Sequence, residues 1–511
     1  MRVLKFGGSS LATPATIREV GRIVLAARRR EPVIVVVSAF QGVTNQLLEC
    51  ARLAEHADAS YEEAFEQIAR RHRSAVAHLV GRRPARVRVH VDALLAELRS
   101  TLQGIHLLRH CPPRALDMTA SFGERLSAFI VASHLGRQQG TFVDARDFLV
   151  TDDQFTHANV RFPATNRRAR ACFSRLFRRS TQTVPIVTGF IGATADGQTT
   201  TIGRNGSDYS AAVVGAAMDA SGIEIWTDVD GVMSADPRLV PAAFVLPQMT
   251  YEEAMELSYF GAKVLHASTI APAVAKRIPI LIKNTFNPDA PGTLISRKAV
   301  DDGQLAKGIT SVGELALLTL RGPGMVGVPG VAGRVFGRLA TKGVSVVLIS
   351  QASSEHTICF SVRSVDTVRA IDAIRQEFQF EFHAQSMQVE VREEQAILAV
   401  VGEGMKGRPG VAGKVFDSLG RQNINIRAIA QGASERNISC VIAASQQVRA
   451  LNAIHQGFFE TRKRLALALI GVGYVGGAVL RQLGQQRAYL LSKGIKNSVK
   501  FIADDFDAPI A

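Results

Sequence analysis

Tryptophan occurs once in the 511 residues and cysteine five times. Cys50, Cys111, Cys172, Cys359 and Cys440 are scattered without a C-x-x-C pair, so neither a disulfide framework nor a zinc site is indicated. No apolar run approaches the roughly 20 residues of a membrane-spanning helix, and a dense one such as VIVVV at 33–37 has the length of a buried strand. The chain starts with strand-like RVLKF at 2–6 and no basic-plus-apolar leader, so a cytoplasmic location is the expectation. Negative charge is also short, with 45 acidic against 60 basic residues and a formal net charge of +15. The surplus is densest in ARRRE (27–31), RRHRS (70–74) and NRRARACFSRLFRRS (166–180). Aromatic residues do not interleave with these runs and no nucleic-acid motif accompanies them. They are read as solvated, arginine-biased helix faces, with neither nucleic acid nor a membrane as partner. Attraction of small anionic substrates is a secondary benefit.

What is present is an ordinary globular composition, 47% hydrophobic and 21% charged, with length for three or four domains. A repeat organises the second half. GPGMVGVPGVAGRVFGRL at 322–339 returns as GEGMKGRPGVAGKVFDSL at 402–419, and QASSEHTICF at 351–360 returns as QGASERNISC at 431–440, both offset by 80 residues. Each copy predicts strand, glycine turn, helix, strand, turn, strand and a second helix, which suggests two α+β modules packed as a pair. Before residue 300, strands at 2–6, 33–38, 184–190 and 223–227 alternate with helical stretches, the pattern of an α/β domain with a largely parallel sheet. NPDAPGTLISRKAVDDGQLAKG at 287–308 reads as the linker.

Several stretches carry chemistry. KFGGSS (5–10) ends the first strand, and a helix is expected near Thr13 with Pro14 at its first position. Gly7 and Gly8 permit close backbone approach to phosphate and Lys5 supplies a cation, though a strand–GG–helix turn is also an ordinary turn. SFGERLSA (121–128) places Glu124 near a helix start, where a surface capping role is the plain alternative. GRNGSDYSA (203–211) sets Arg204, Ser207 and Asp208 in a glycine loop that opens an apolar helix, an arrangement suited to a carboxylate or phosphate. WTDVDGVMSADPR (226–238) carries three aspartates after a buried strand, suited to sugar hydroxyls or an outer Mg²⁺ shell, or to a bland Asx turn. SYFGAKVLH (258–266) puts Lys263 beside an apolar helix.

In order, KFGGSS, VSAFQGVTN (37–45), SFGERLSA, GRNGSDYSA, TDVDGVMSADPR and MELSYFGAKVLH (255–266) resemble the aspartokinases of the amino-acid kinase superfamily. The repeat resembles the paired ACT regulatory domains of that family. GIHLLRHCPP (104–113) and the tail resemble the bifunctional aspartokinase–homoserine dehydrogenase branch. The chain departs from the family at Met233, where tyrosine is usual, and in HAST (266–269), where HPRT is usual. The implied architecture is α/β: an αβα-sandwich kinase domain (1–297), then ACT-like repeats (309–390 and 391–462) of α+β type. A short Rossmann-like stub (463–511) would be the truncated start of the dehydrogenase.

The resemblance implies transfer of the ATP γ-phosphoryl group to the β-carboxylate of L-aspartate, with Mg²⁺ carried by ATP and no metal site in the protein itself. A carboxylate of pKa near ~4 is already an anion, so no general base is needed, and catalysis rests on positioning and on offsetting anion repulsion. By motif position Lys5, Asp208 and Lys263 are catalytic, while Ser38, Thr44, Glu124, Arg204 and Ser207 hold aspartate. Lys5, Gly7, Gly8, Ser9, Thr227, Asp228, Asp230, Met233, Asp236 and Lys263 face the nucleotide. In the repeats, Gln351 and Gln431 close equivalent strands that also carry Ile349 and Ile429. These four are the expected effector residues, with L-threonine the expected effector, lysine the runner-up, and a homo-oligomer formed through the ACT domains. The rival within this reading is an amino-acid sensor with a decayed kinase part.

A second rival comes from LIGVGYVGG (469–477), where Gly471, Gly473 and Gly476 give G-x-G-x-x-G between a strand and a helix, the dinucleotide fingerprint. Only 35 residues follow Gly476, so no functional NAD(P) site is expected.

Overall fold

The computed structural model describes the chain except residues 81–83, 137–138, 181, 204, 261–266, 300–302, 326, 352–355, 460–462, 472, 493–494 and 504–511. Two compact units emerge: Met1–Ser234 with Phe244–Asp302, and Ala235–Ala243 with Gly303–Ala511.

Among the described residues the strands of the first unit are β1 (Arg2–Phe6), β2 (Val33–Val37), β3 (Gly140–Val143), β4 (Val184–Thr188), β5 (Ile191–Ala193), β6 (Thr199–Thr201), β7 (Gly222–Thr227), β8 (Gln248–Thr250), β9 (Ile280–Asn284) and β10 (Thr293–Ser296). Its helices are α1 (Pro14–Arg28), α2 (Val43–Glu55), α3 (Ser60–Leu79), α4 (Pro84–Leu108), α5 (Pro113–Leu135), α6 (Phe162–Arg179), α7 (Gly206–Ala217), α8 (Tyr251–Tyr259) and α9 (Ala267–Ala275). Eight strands form one sheet in the order β3-β4-β2-β1-β7-β9-β10-β8, while β5 and β6 form a separate hairpin. From β3 to β9 all neighbours run parallel, and β10 is antiparallel to β9. Strand β2 is buried at every position, which is why it reads as a continuous β-branched run rather than an alternating one. Helices α1 to α5 contribute to one core with β1, β2 and β4, through residues such as Phe6, Val35, Ile17, Leu47, Phe65 and Phe122. Thr13 caps α1 by accepting from the Thr16 N–H, and Pro14 occupies the first turn, where a missing N–H costs nothing.

The supposed linker is partly structure. Residues 293–296 within 287–308 form β10, paired with both β8 and β9. Gly292, at φ +81°, lets the chain pass so close to β9 that a Cβ there would stand 2.2 Å from the Ile282 carbonyl oxygen.

In the second unit β11 (Gly308–Arg321) and β14 (Gln388–Val401) are long antiparallel partners at the centre of a six-stranded sheet. The remaining strands are β12 (Val346–Gln351), β13 (Thr357–Arg363), β15 (Ala428–Gln431) and β16 (Asn437–Ala443), and the order is β12-β13-β11-β14-β16-β15. Helices α10 (Val331–Thr341), α11 (Thr367–Glu377), the short α12 (Gln379–His383), α13 (Val411–Gly420) and α14 (Gln447–Phe459) complete the repeats. Leu315–Arg321 of β11 pair with β13, and Gln395–Val401 of β14 pair with β16. Gly308–Val312 pair with Ile397–Val401, so each repeat lends the other an edge strand. That exchange satisfies backbone groups that a lone repeat would leave unpaired.

The segment 235–243 belongs to this second unit, whereas TDVDGVMSADPR reads in sequence as a single turn of the first. Val240 is fully buried and Ala235 nearly so, in a cluster with Ile309, Leu398, Val415 and Ile454, and the Asn452 side-chain amide donates to the Leu239 carbonyl at 2.8 Å. Burial of those two apolar residues outweighs the local continuity of the turn.

The tail forms β17 (Lys463–Ile470), α15 (Tyr474–Gln485), α16 (Arg487–Ser492) and β18 (Ile495–Ala503), with the strands parallel. The single helix expected after the glycines is two, broken at Gln486. Gly476 is required by packing, since a Cβ there would lie 2.0 Å from the Gly471 carbonyl oxygen. Among the described residues no helix is long and apolar enough to cross a membrane.

Candidate active site

The chain leaves β1 for β2 on one side, while β7 leads to β9 on the other, so the carboxyl ends of β1 and β7 flank a topological switch point. A cavity of about 620 Å³ opens in this unit. Its lining includes Lys5 and Gly8 from the end of β1 and the following turn, Ser38 and Thr44 from the turn after β2 and the start of α2, Glu124 from α5, and Ser207 and Asp208 from α7. Seven of the expected residues, drawn from positions 5 to 208, therefore share one space.

Lys5 Nζ and Asp208 Oδ1 meet at 2.7 Å, both side chains about nine-tenths buried. The contact lacks hydrogen-bond alignment, so it is an ion pair rather than a directed bond. Gly7 lies against it, with a Cβ position 3.5 Å from Lys5 Nζ. At Gly8 a Cβ would come within 3.3 Å of the Ala39 carbonyl oxygen and of Gln41 Cα, so the turns after β1 and β2 touch. Ser9 begins a short 3₁₀ turn.

Glu124 is not near a helix start, as the sequence suggests, but in the middle of α5 and 3% exposed, which removes it from the surface capping role open to it in sequence. Its Oε1 accepts the Ala39 N–H at 3.1 Å, and its Oε2 is buried without a partner among the described residues. Burial is the dominant influence and pushes the carboxyl up to about 8, with the Ala39 N–H pulling the other way. One helical turn on, Ser127 Oγ donates to the Ser38 carbonyl at 2.7 Å. Helix α5 thus holds the turn after β2 at two adjacent carbonyl and amide groups.

At the start of α7, Gly203 and Asn205 are left-handed, at φ +79° and +57°. Gly206 is packed so closely that a Cβ would lie 2.7 Å from the Phe190 ring. Gly189 is equally constrained, its Cβ position 2.6 Å from Ser207 Oγ and 2.9 Å from the Val37 carbonyl oxygen. Gly189, Phe190 and Asp117 are missed by sequence reasoning. Asp117 is 1% exposed, and its carboxylate accepts from the Thr156 N–H (2.9 Å), the Thr201 N–H (2.9 Å) and the Thr201 hydroxyl (2.7 Å). Burial is the largest influence on it and raises its pKa. One signal was present: Asp117 precedes Glu124 by seven residues, two helical turns, which places both on one face of α5.

The expected nucleotide residues are not all in this cavity. Thr227, Asp228, Asp230 and Met233 are outside its lining. Asp230 Oδ1 accepts from Asn284 (2.8 Å) and Asn287 (3.1 Å), which makes it a loop brace, and Thr227 Oγ1 donates to Asp228 at 3.0 Å. Met233 forms a strand bridge with Val245. Asp236 is paired with Arg238 at 2.6 Å within the 235–243 segment of the second unit. Arg204 and Lys263 lie outside the described residues. In the second unit Gln351 and Gln431 end the edge strands β12 and β15, both exposed, and Ile349 and Ile429 on the same strands are 49% and 43% exposed.

Known proteins resemble this chain in both of its units. The amino acid kinase family profile matches residues 1–284, and an ACT domain profile matches 318–378 and 398–458. The bifunctional aspartokinase/homoserine dehydrogenase 2 of Arabidopsis thaliana chloroplasts is 38% identical over 521 residues, covering 98% of this chain and 56% of that protein. Thus the chain spans little more than half the length of this bifunctional relative. Aspartokinase 2 of A. thaliana chloroplasts is 30% identical, covering 90% of this chain and 84% of its own length. The solved structure of E. coli aspartokinase III with aspartate and ADP superposes with a TM-score of 0.75 at 31% identity, over 90% of this chain and 100% of that one.

Proposed function

Because the chain belongs to the amino acid kinase family, in its aspartokinase branch, we propose that it transfers the γ-phosphoryl group of ATP to the β-carboxylate of L-aspartate. The observation that carries this reading is the unpartnered, buried Oε2 of Glu124 in the same cavity as the Lys5–Asp208 pair. A carboxyl oxygen buried without a partner among the described residues is a receptor for a cation, here the substrate α-ammonium once it displaces the carboxyl proton, and Lys5 stands ready for an anion once phosphate competes with Asp208. No general base is required, since the acceptor is ionised before it binds. The protein therefore contributes charge and position. We place Mg²⁺ with the ATP phosphates, as suits a small cation that sheds water reluctantly. Asp228, exposed and bonded by the Thr227 hydroxyl, is the carboxylate that fits an outer-shell role. For Arg204 we propose a two-point hold on the substrate carboxylate, and for Lys263 a contact with phosphate. Trapping the acyl phosphate with hydroxylamine tests the reading: hydroxamate should form only with both ATP and aspartate. Its absence in folded protein that binds an amino acid would favour a sensor instead. For residues 463–511 by themselves we propose no hydride chemistry, since among the described residues they form one parallel strand pair, and a dinucleotide is held across a sheet crossover.

We also propose regulation by threonine at the edge strands of the paired repeats, where a homo-oligomer would form over Ile349 and Ile429. A glutamine both donates and accepts hydrogen bonds, which suits an amino-acid effector at Gln351 and Gln431. The effector must bind the less active state more tightly to act at all. Gln431→Ala is expected to raise the threonine concentration for half-inhibition about tenfold or more, the loss of a hydrogen bond or two, with uninhibited kcat nearly intact. Inhibition curves that coincide for variant and parent would place the effector elsewhere.

A further inference from the structure

The basic run RRHRS at 70–74 reads in sequence as a solvated face of a helix, and the structure departs from that at its centre. Arg70 and Arg73 do face outward, Arg73 pairing with Asp92 at 2.8 Å. Arg71 instead turns its guanidinium toward two backbone turns. Nη1 donates to the Gln41 carbonyl at 2.6 Å and Nη2 to the Ala12 carbonyl at 3.1 Å. The group also lies 5.9 Å from the centre of the Phe40 ring. His72, fully buried, stacks on Phe40 at 4.8 Å and 6°, its Nδ1 bonded to the Ile68 carbonyl at 2.8 Å. Two successive residues of α3 thus hold the Phe40–Gln41 turn by a flat stack and a charged bond. The two bonded carbonyls belong to different turns: Ala12 ends the one that begins at Gly7 after β1, and Gln41 sits in the one between Ser38 and Thr44 after β2.

We infer that Arg71 is a positioning residue, a single guanidinium that pins the phosphate-facing turn after β1 to the aspartate-facing turn after β2 and so keeps the two substrates in register. This rests on the proposed phosphoryl transfer. The physical requirement is two donors in a fixed plane, because the two acceptors stand on separate backbone segments. An ammonium keeps the charge but not the span. Phosphoryl transfer between two anions is sensitive to such alignment, and a displacement of about 1 Å can cost about a hundredfold. Beside the guanidinium lies a cavity of about 110 Å³ bordered by Leu11, Thr13, Phe40 and Ser74, which gives a small cation a route to the same carbonyls.

The test is kinetic. Arg71→Ala is expected to lower kcat about tenfold to a hundredfold with a rise in aspartate KM, and Arg71→Lys to recover little of it. Guanidinium chloride on the order of 20 mM, far below denaturing levels, should restore kcat several-fold in Arg71→Ala. It should leave the parent and Arg73→Ala unchanged, and potassium chloride at equal ionic strength should restore nothing. If the alanine variant does not fold, Arg71→Gln, which keeps the stem and one donor, takes its place with its unfolding midpoint recorded. Parent-like kcat and KM in the variants would overturn the assignment. So would an equal loss in Arg73→Ala, or a loss that guanidinium does not reverse, because general destabilisation would explain either. A parent without aspartate-dependent turnover would remove the proposed function first, and this inference with it.

Discussion

Lys5→Ala is expected to lower kcat by about 10²- to 10³-fold, the scale of losing one preorganised donor to a developing anion, while aspartate KM changes little. Lys5 is nine-tenths buried at the end of β1 and ion-paired with Asp208 at 2.7 Å, so its ammonium is fixed before substrate arrives. A charge already fixed and desolvated needs no reorganisation when negative charge shifts onto the transferring group. An interaction that strengthens along the reaction lowers kcat when removed, whereas uniform binding would alter KM alone. Removing one partner of a buried pair also leaves the other uncompensated, a cost of roughly 3–5 kcal/mol in general. Partial exposure of the pair reduces that figure here. Lys5→Met combined with Asp208→Asn separates the effects: folding should recover relative to the single lysine variant, and kcat should not. Steady-state kinetics beside thermal unfolding reads both quantities. Restored turnover in the double variant would mean that Lys5 serves the fold and not the reaction.

Glu124→Gln should raise the aspartate KM about thirtyfold or more, as expected when one member of a buried charge pair is neutralised. The amide retains an oxygen for the Ala39 N–H, so the turn after β2 keeps its anchor and only the charge is lost. A pH signature goes with it. Burial pushes the free carboxyl up to about 8, so near neutrality it is mostly protonated, and an incoming ammonium must displace that proton. Aspartate KM is then lowest above about pH 8 and rises toward tenfold per unit as pH falls below it. The favourable range ends where the substrate ammonium itself loses its proton. The same linkage has a definite sign for stability. A carboxyl raised by burial adds most to folding when protonated, so the unliganded protein weakens as pH rises from the ordinary carboxyl range to about 8. Bound aspartate should offset that loss. KM measured across this range in parent and variant is the check. A flat profile in the parent, or a Glu124→Gln enzyme with parental KM, would take Glu124 out of the substrate site.

What the sequence by itself determined were the features written in short windows. The buried run of β2, the Thr13–Pro14 helix start, the left-handed turn at Gly203 and Asn205 and the 80-residue repeat are each local, because strand burial, capping and φ > 0 impose their residue types on the spot. Of the seven expected site residues that share one cavity, six lie on or next to strand ends and helix starts of a parallel sheet, where chain order places chemistry, and Glu124 reaches it from the middle of α5. The rest depended on partners far away in the chain. Glu124 could have been a surface cap. Only its burial near Ala39, 85 residues earlier, leaves it with an orphan oxygen and a raised pKa. Arg71 looked like one of several solvated arginines until its neighbours proved to be the carbonyls of Ala12 and Gln41. Val240 carried no mark that a loop of the kinase-like half would be counted among the core residues of the repeats. Charge, polarity and helical period are properties of a residue and its near neighbours. Desolvation and bonding to a distant backbone are properties of the packed chain, and they decided which charges face water and which face substrate.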